Sequence, residues 1–231
     1  MTRIERLPPP PEHPVRSPPV AVRGEVEASI GPLDARVHVP ASPQRAVVIC
    51  HPHPLYGGSM HSPVPLAIAK TLADRASDVV AWARFDFRGV GKSAGTYDDG
   101  RGEVDDARAV VAHLRGLAPE VPITVCGHSF GSWVGLRAAA GDGGVERVLL
   151  IAPSTRFFEM AFDSWDDALR FVGPTTIFLG DEDEFCDVDE GRALAAKLGA
   201  ELRVFEGYEH YFKKSRRAMA EAALPVIAPE A

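Results

Sequence analysis

The chain has 231 residues, 45% of them hydrophobic and 25% charged, and a formal net charge of −7. That length suits one sizeable domain with its own core, and the composition is that of an ordinary globular protein. The acidic balance excludes nucleic acid or an anionic membrane as the main partner, because either needs a basic footprint.

Residues 1–19, MTRIERLPPPPEHPVRSPP, hold seven prolines and lack the apolar core of a signal peptide. They are expected to form a proline-rich N-terminal arm, extended or disordered, ahead of a single domain over 20–231. No run approaches the ~18 apolar residues of a membrane span. Three cysteines, two of them (Cys50 and Cys126) inside apolar runs, indicate buried thiols in a reducing compartment. The expected location is cytoplasmic.

After the arm, Val20–Ser29 alternates apolar and polar residues. Gly31-Pro32 is a turn, and Leu33–Val39 completes a hairpin at a sheet edge. From Ala46 on, short apolar runs alternate with amphipathic stretches. Strands are expected at Ala46–Cys50, Val79–Phe87, Ile123–Cys126, Val145–Ala152, Thr175–Leu179 and Leu202–Phe205. Helices are expected near Val64–Ala76, Gly102–Leu117, Phe130–Ala140 and Asp189–Leu198, with a last one from about Tyr211. Continuous apolar strands separated by helices predict an α/β protein with a mostly parallel twisted sheet of about eight strands, covered on both faces.

Ligands bind such a sheet outside the carboxyl ends of its strands. There the chain carries His51-Pro52-His53-Pro54, Arg88-Gly89-Val90-Gly91-Lys92-Ser93, Gly127-His128-Ser129-Phe130-Gly131, Gly180-Asp181-Glu182-Asp183 and Gly207-Tyr208-Glu209-His210. The third of these is a G-x-S-x-G turn between a strand and a helix. Such a turn strains the central residue, needs neighbours without side chains, and lifts the Ser129 hydroxyl clear of the sheet beside a helix N-terminus. The Phe130 N–H becomes a natural oxyanion donor. A serine needs a base, and the base needs an orienting acid. His210, placed at the start of the last helix, is the candidate base. The acid is one of Asp181, Glu182, Asp183, Glu184 and Asp187.

With these residues in place the chain resembles an α/β-hydrolase over about Ala46 to Phe212. It is most similar to small lidless serine hydrolases related to dienelactone hydrolase and prolyl-oligopeptidase catalytic domains. The resemblance rests on His51–Met60, Phe85–Ser93 and the elbow. It implies that the acid falls three residues after a strand-ending glycine, which selects Asp183. It also matches Gly207–Phe212 to the family's Gly-x-x-His-x-Phe setting for the base. Where dienelactone hydrolases carry a cysteine this chain has Ser129, which favours esterase chemistry. In relatives with a His-Gly-x loop the second oxyanion donor is the amide two residues after the first histidine, here His53. Pro52 and Pro54 have no N–H to offer, and Leu55 and Tyr56 stand in reserve.

Four other features have competing readings. Gly91-Lys92-Ser93 ends like a phosphate-binding loop, but that loop needs a glycine where Asp86 stands, so a supporting turn is expected. Phe158, Phe162, Trp165, Leu169 and Val172 line one face of a four-turn amphipathic helix. That helix is a single-helix cap at most, and otherwise core packing or an interface, with Leu55, Tyr56, Phe157, Phe158 and Met160 as candidate pocket residues. The basic run Lys213–Arg217 reads as a solvated helix face, and Cys186 as incidental.

The function expected is hydrolysis of carboxylic esters or thioesters by a Ser129–His210–Asp183 triad through an acyl-enzyme, with no cofactor and no metal. The alternatives are a tailoring hydrolase or lyase that cleaves a C–C bond or dealkylates a product with the same triad, and a non-catalytic binding protein. The expected partner is a small-molecule ester or acyl substrate, and the chain is free to form a homodimer.

Overall fold

The computed structural model describes residues 2–5, 22–29, 31–141, 144–156, 165–166 and 171–229. The strands are β1 (Thr2–Glu5), β2 (Val22–Ala28), β3 (Gly31–His38), β4 (Arg45–Cys50), β5 (Val80–Phe85), β6 (Ile123–His128), β7 (Val145–Ile151), β8 (Thr175–Gly180) and β9 (Glu201–Phe205). The helices are α1 (Pro63–Arg75), α2 (Arg101–Leu117), α3 (Phe130–Ala140), α4 (Val188–Leu198) and α5 (Arg216–Ile227). One sheet joins all nine strands in the order β1-β9-β8-β7-β6-β4-β5-β3-β2. β2 and β3 form the antiparallel edge hairpin and β3 runs antiparallel to β5, while the other pairings are parallel. Eight strands follow residue 21; the ninth is Thr2–Glu5, paired with β9 in the first residues of the proline-rich leader.

The central strands are largely apolar because helices cover both faces. Every residue of β6 and β8 is buried. Val64, Ile68 and Leu72 of α1 pack with Met219, Ala220 and Ala223 of α5 over one face. Val110 and Val111 of α2, Val134 of α3 and Leu194 of α4 pack over the other. No helix among the described residues is long and apolar enough to cross a membrane.

The chain runs from β4 outward to β5, then returns through α2 to β6 and continues the opposite way. The order therefore reverses between β4 and β6, the place where such sheets open a ligand crevice. These two strands are neighbours, with Cys50 level with Gly127, so the loops that follow them leave the sheet side by side.

Two expectations are corrected. The last helix begins at Arg216, capped by the Ser215 hydroxyl accepting from the Ala218 N–H at 3.1 Å, and not near Tyr211. His210 therefore stands in a loop ahead of it. In the 157–172 stretch Trp165 is fully buried and Asp166 pairs with Lys197 at 2.6 Å, whereas Val172 is 97% exposed and does not share the apolar face. Phe157, Phe158, Phe162 and Leu169, with Met160, lie outside the described residues.

Candidate active site

Ser129 sits between β6 and α3 at φ 54°, ψ −119°, a positive φ that a residue with a side chain rarely adopts and that costs about 1–3 kcal/mol. The surroundings enforce it. Its N–H donates to Ile151 O at 2.9 Å, and the Ser132 hydroxyl donates to Gly127 O at 2.7 Å. A Cβ on Gly127 would collide with Gly131 O, and one on Gly131 would stand 2.5 Å from the carbonyls of Cys50 and His51. The glycines flanking the elbow are therefore required by backbone-to-backbone contact. Phe130 begins α3, in the first turn, where amide hydrogens have no partner within the helix.

The acidic run after β8 resolves residue by residue. Asp183 meets His210: Nδ1 lies 2.9 Å from Oδ2 and 3.1 Å from Oδ1, and both side chains are buried. Asp183 Oδ1 also accepts from the Phe185 N–H at 2.8 Å. With Nδ1–H donated to the carboxylate, the lone pair of His210 is on Nε2. Asp181 instead accepts from the Gly207 N–H at 2.6 Å, tying the end of β8 to the loop that carries His210. Asp187 caps α4 and, with Glu190, binds the Arg156 guanidinium. Cys186 is buried, and burial pushes its thiol up to about 12.

The basic run after His210 braces that same loop and is not a bare solvated face. Lys214 Nζ donates to Glu206 O at 2.9 Å and Arg216 to Tyr211 O at 3.0 Å. Lys213 pairs with Glu209 at 3.4 Å and Arg217 with Glu221 at 3.1 Å.

The three histidines of the loop after β4 have separate environments. His51 is buried, accepts the Phe87 N–H on Nε2 at 3.0 Å and approaches Pro52 O through Nδ1 at 2.6 Å. Burial lowers its pKa to about 3, so it is a neutral strut between the loop and the end of β5. His53 accepts the Leu55 N–H on Nδ1 at 3.2 Å, meets the Tyr97 hydroxyl through Nε2 at 3.2 Å, and packs on the Phe130 ring at 4.7 Å between centroids. His61 is exposed. The Tyr56 N–H donates to His53 O at 3.2 Å, so the amides of both Leu55 and Tyr56 are engaged within the turn.

The far end of this loop is held by a pair that sequence reasoning missed. Asp86 Oδ1 accepts the Met60 N–H at 2.7 Å, and Arg84 donates to Met60 O at 2.6 Å. Two side chains at the end of β5 thus grip both polar groups of one residue. The supporting turn that follows is as expected: Arg88 is locked on Asp106, 2.7 Å at its shortest, and the Ser93 hydroxyl bridges the Asp34 N–H and Asp86 O.

Ser129 and His210 line one cleft of about 350 Å³ together with His53, Tyr56, Phe185 and Tyr211. Leu55, 67% exposed, is not among its lining residues.

The model of the family described as Serine aminopeptidase, S33 (Hydrolase_4) matches residues 41–165, more than half of the chain. The uncharacterized protein RP471 of Rickettsia prowazekii is 28% identical over 203 residues, covering 83% of this chain and 82% of that protein. Among solved structures, an α/β serine hydrolase homologue from Coxiella burnetii superposes with a TM-score of 0.79 at 29% identity, over 90% of this chain and 97% of that one. XC6422 from Xanthomonas campestris, described as an α/β serine hydrolase without a lid, superposes with a TM-score of 0.77 at 29% identity, over 95% of this chain and all of that one. By its family match, its sheet and its strand-to-helix elbow, this chain belongs to the Hydrolase_4 family of the α/β-hydrolase superfamily.

Proposed function

We propose that the protein is a serine hydrolase of carboxylic esters or thioesters. The observation that carries this reading is the buried His210–Asp183 pair, 2.9 Å apart, beside a cleft that it shares with a strained Ser129. His210 Nε2 takes the Ser129 proton as Oγ attacks the acyl carbon. The tetrahedral intermediate collapses to an acyl-enzyme, and the protonated imidazole returns the proton to the departing alcohol or thiol. Water, deprotonated in turn by His210, releases the acid and restores the serine. Asp183 stabilises the imidazolium and holds the ring with Nε2 available.

The oxyanion is held by the amides of Phe130 and His53. Each lies three residues beyond the level pair Gly127 and Cys50 on adjacent strands, and the two side chains pack on each other. The amides of Leu55 and Tyr56 are engaged in the turn. Losing one such donor typically costs about 2.7–4 kcal/mol of barrier. The buried thiols of Cys50, Cys126 and Cys186, none of them in a disulfide, support a reducing, cytoplasmic setting.

Labelling with a serine-directed fluorophosphonate tests the reading. The adduct is expected on Ser129 and absent from Ser129→Ala. Adducts elsewhere, or undiminished labelling of the variant, overturn it.

A further inference from the structure

The cleft beside Ser129 is walled by rings. Tyr56 stands edge-on to His53, 5.0 Å between centroids at 79°. Across the cleft Phe185 and Tyr211 stand edge-on to His210, at 4.7 Å and 70° and at 5.2 Å and 83°. Pro52 and Pro63 complete the apolar lining. At about 350 Å³ the space is at the small end of ligand pockets. It has room for a single-ring acyl group and a small alcohol.

Its electrostatics are as selective as its shape. Among the described residues that line the cleft there is no lysine, arginine, aspartate or glutamate. Asp183 is committed to His210 and the Phe185 N–H. On the neighbouring loop Lys214 and Arg216 donate to backbone carbonyls, and the exposed Lys213 pairs with Glu209 and lies over the Tyr211 ring at 5.9 Å, outside the cleft lining. An ammonium or carboxylate on the substrate would lose its water and meet no charged side chain among these residues, the rings offering an ammonium only the weaker cation–π contact, which opposes binding. An aromatic group loses only apolar hydration and gains edge-to-face contacts. Among the described residues of these walls there is no carboxylate to meet the α-ammonium of a peptide, which an aminopeptidase must hold.

Resting on the serine-hydrolase reading above, we propose that the substrates are uncharged esters whose acyl part carries an aromatic ring, selected by Tyr56, Phe185 and Tyr211. The test compares three methyl esters by acid release from the full chain: 3-phenylpropanoate, the straight-chain heptanoate, and the ester of phenylalanine, which is the first with an α-amine added. The phenylpropanoate is expected to exceed the heptanoate by about tenfold or more in kcat/KM, the scale of one good apolar contact set. It should also exceed the phenylalanine ester below that amine's pKa, and the gap should narrow as the amine loses its proton. Tyr56→Leu and Tyr211→Leu keep apolar bulk and remove the ring, and each should lower the phenylpropanoate-to-heptanoate ratio several-fold. Equal rates on phenylpropanoate and heptanoate, a charged phenylalanine ester that is preferred, or ratios unmoved in both variants overturn the proposal. Fluorophosphonate labelling of Ser129 separates the two levels. Labelling without the preference sinks the aromatic selectivity alone, and absence of labelling sinks the hydrolase reading beneath it.

Discussion

The Nε2–H of His128 donates to the backbone carbonyl of His210 at 3.0 Å, so the residue before the elbow serine holds the residue that pairs with Asp183. The two imidazoles lie 5.1 Å apart between centroids, and His128 Nδ1 is buried without a hydrogen-bond partner. The acceptor is a carbonyl, so the tautomer is fixed with the proton on Nε2. Burial, reinforced by the neighbouring His210, lowers the His128 pKa to about 3. His128 is thus a neutral positioning residue, set one peptide from Ser129.

Replacing His128 with Phe keeps a ring and strands the His210 carbonyl. Because small misplacements near a reacting centre are expensive, kcat on a simple ester should fall by about tenfold or more while KM changes little. His128→Gln, whose amide nitrogen reaches a similar position, should recover most of the rate. Steady-state kinetics on the three proteins decides it. A Gln variant as impaired as Phe would mean that the hydrogen bond is not what positions His210.

Acid should destabilise the fold through the same histidine and through His51. Each has a folded pKa of about 3 against an ordinary value of 6.5. Between those values the unfolded chain binds protons that the folded chain refuses. Stability is fully present above pH 6.5 and is lost as pH falls toward 3, by ~1.4 kcal/mol per pH unit for each group. Desolvation raises Asp86 and Glu103, which act in the opposite sense, so the share of His128 is read from a difference. Urea midpoints of His128→Gln should depend less on pH than wild type across this window. Parallel curves for the two proteins would contradict the assignment.

The parts of the site that local chemistry dictates were legible in the sequence. The elbow is one, because Gly127 meets the Gly131 backbone inside the turn itself, although the demand for Gly131 comes from the distant Cys50 and His51 carbonyls and is not local. The switch point is another, because apolar strand runs and helix spacing imply a parallel sheet and put chemistry at its strand ends. Asp183 was separable from Asp181 only by resemblance, since both carboxylates find partners on the next loop and nothing local says which meets the imidazole. What escaped reading depends on tertiary approach. Arg84 and Asp86 grip Met60 across more than twenty residues of chain, and His128 meets His210 across more than eighty. The start of α5 was misplaced because Gly207–Lys214 has helix-compatible residues, while the loop is held open by Asp181, Lys214 and Arg216 and by a positive φ of 53° at Phe212.

The grip on Met60 gives a prediction about the loop that carries the His53 amide. Asp86→Ala leaves the buried Met60 N–H unsatisfied, at a cost of about 1–3 kcal/mol, and lets the loop drift from the elbow. Fluorophosphonate labelling should slow by about tenfold or more, beyond what lost stability explains at a temperature where the variant remains folded. Asp86→Asn keeps an acceptor oxygen and should label at nearly the wild-type rate. If the two variants label alike, the hydrogen bond to Met60 does not position the loop.

Two glycines should respond to alanine with opposite signs. Gly116 lies in the last turn of α2, and a Cβ added there would meet nothing within 4 Å, so Gly116→Ala should gain stability from helix propensity, by at most about 0.5–1 kcal/mol. Gly131 also lies in a helix, but its Cβ would stand 2.5 Å from the carbonyls of Cys50 and His51. Relief requires moving the end of β4 or the start of α3, and over-packing of this kind costs about 1–3 kcal/mol. Both candidate oxyanion amides lie within three residues of those contacts, so Gly131→Ala should also lose esterase activity, while Gly116→Ala keeps it. Urea denaturation and one ester assay on the pair check the claim. A Gly131→Ala protein with wild-type stability and rate would show that the close approach of loop and elbow is dispensable.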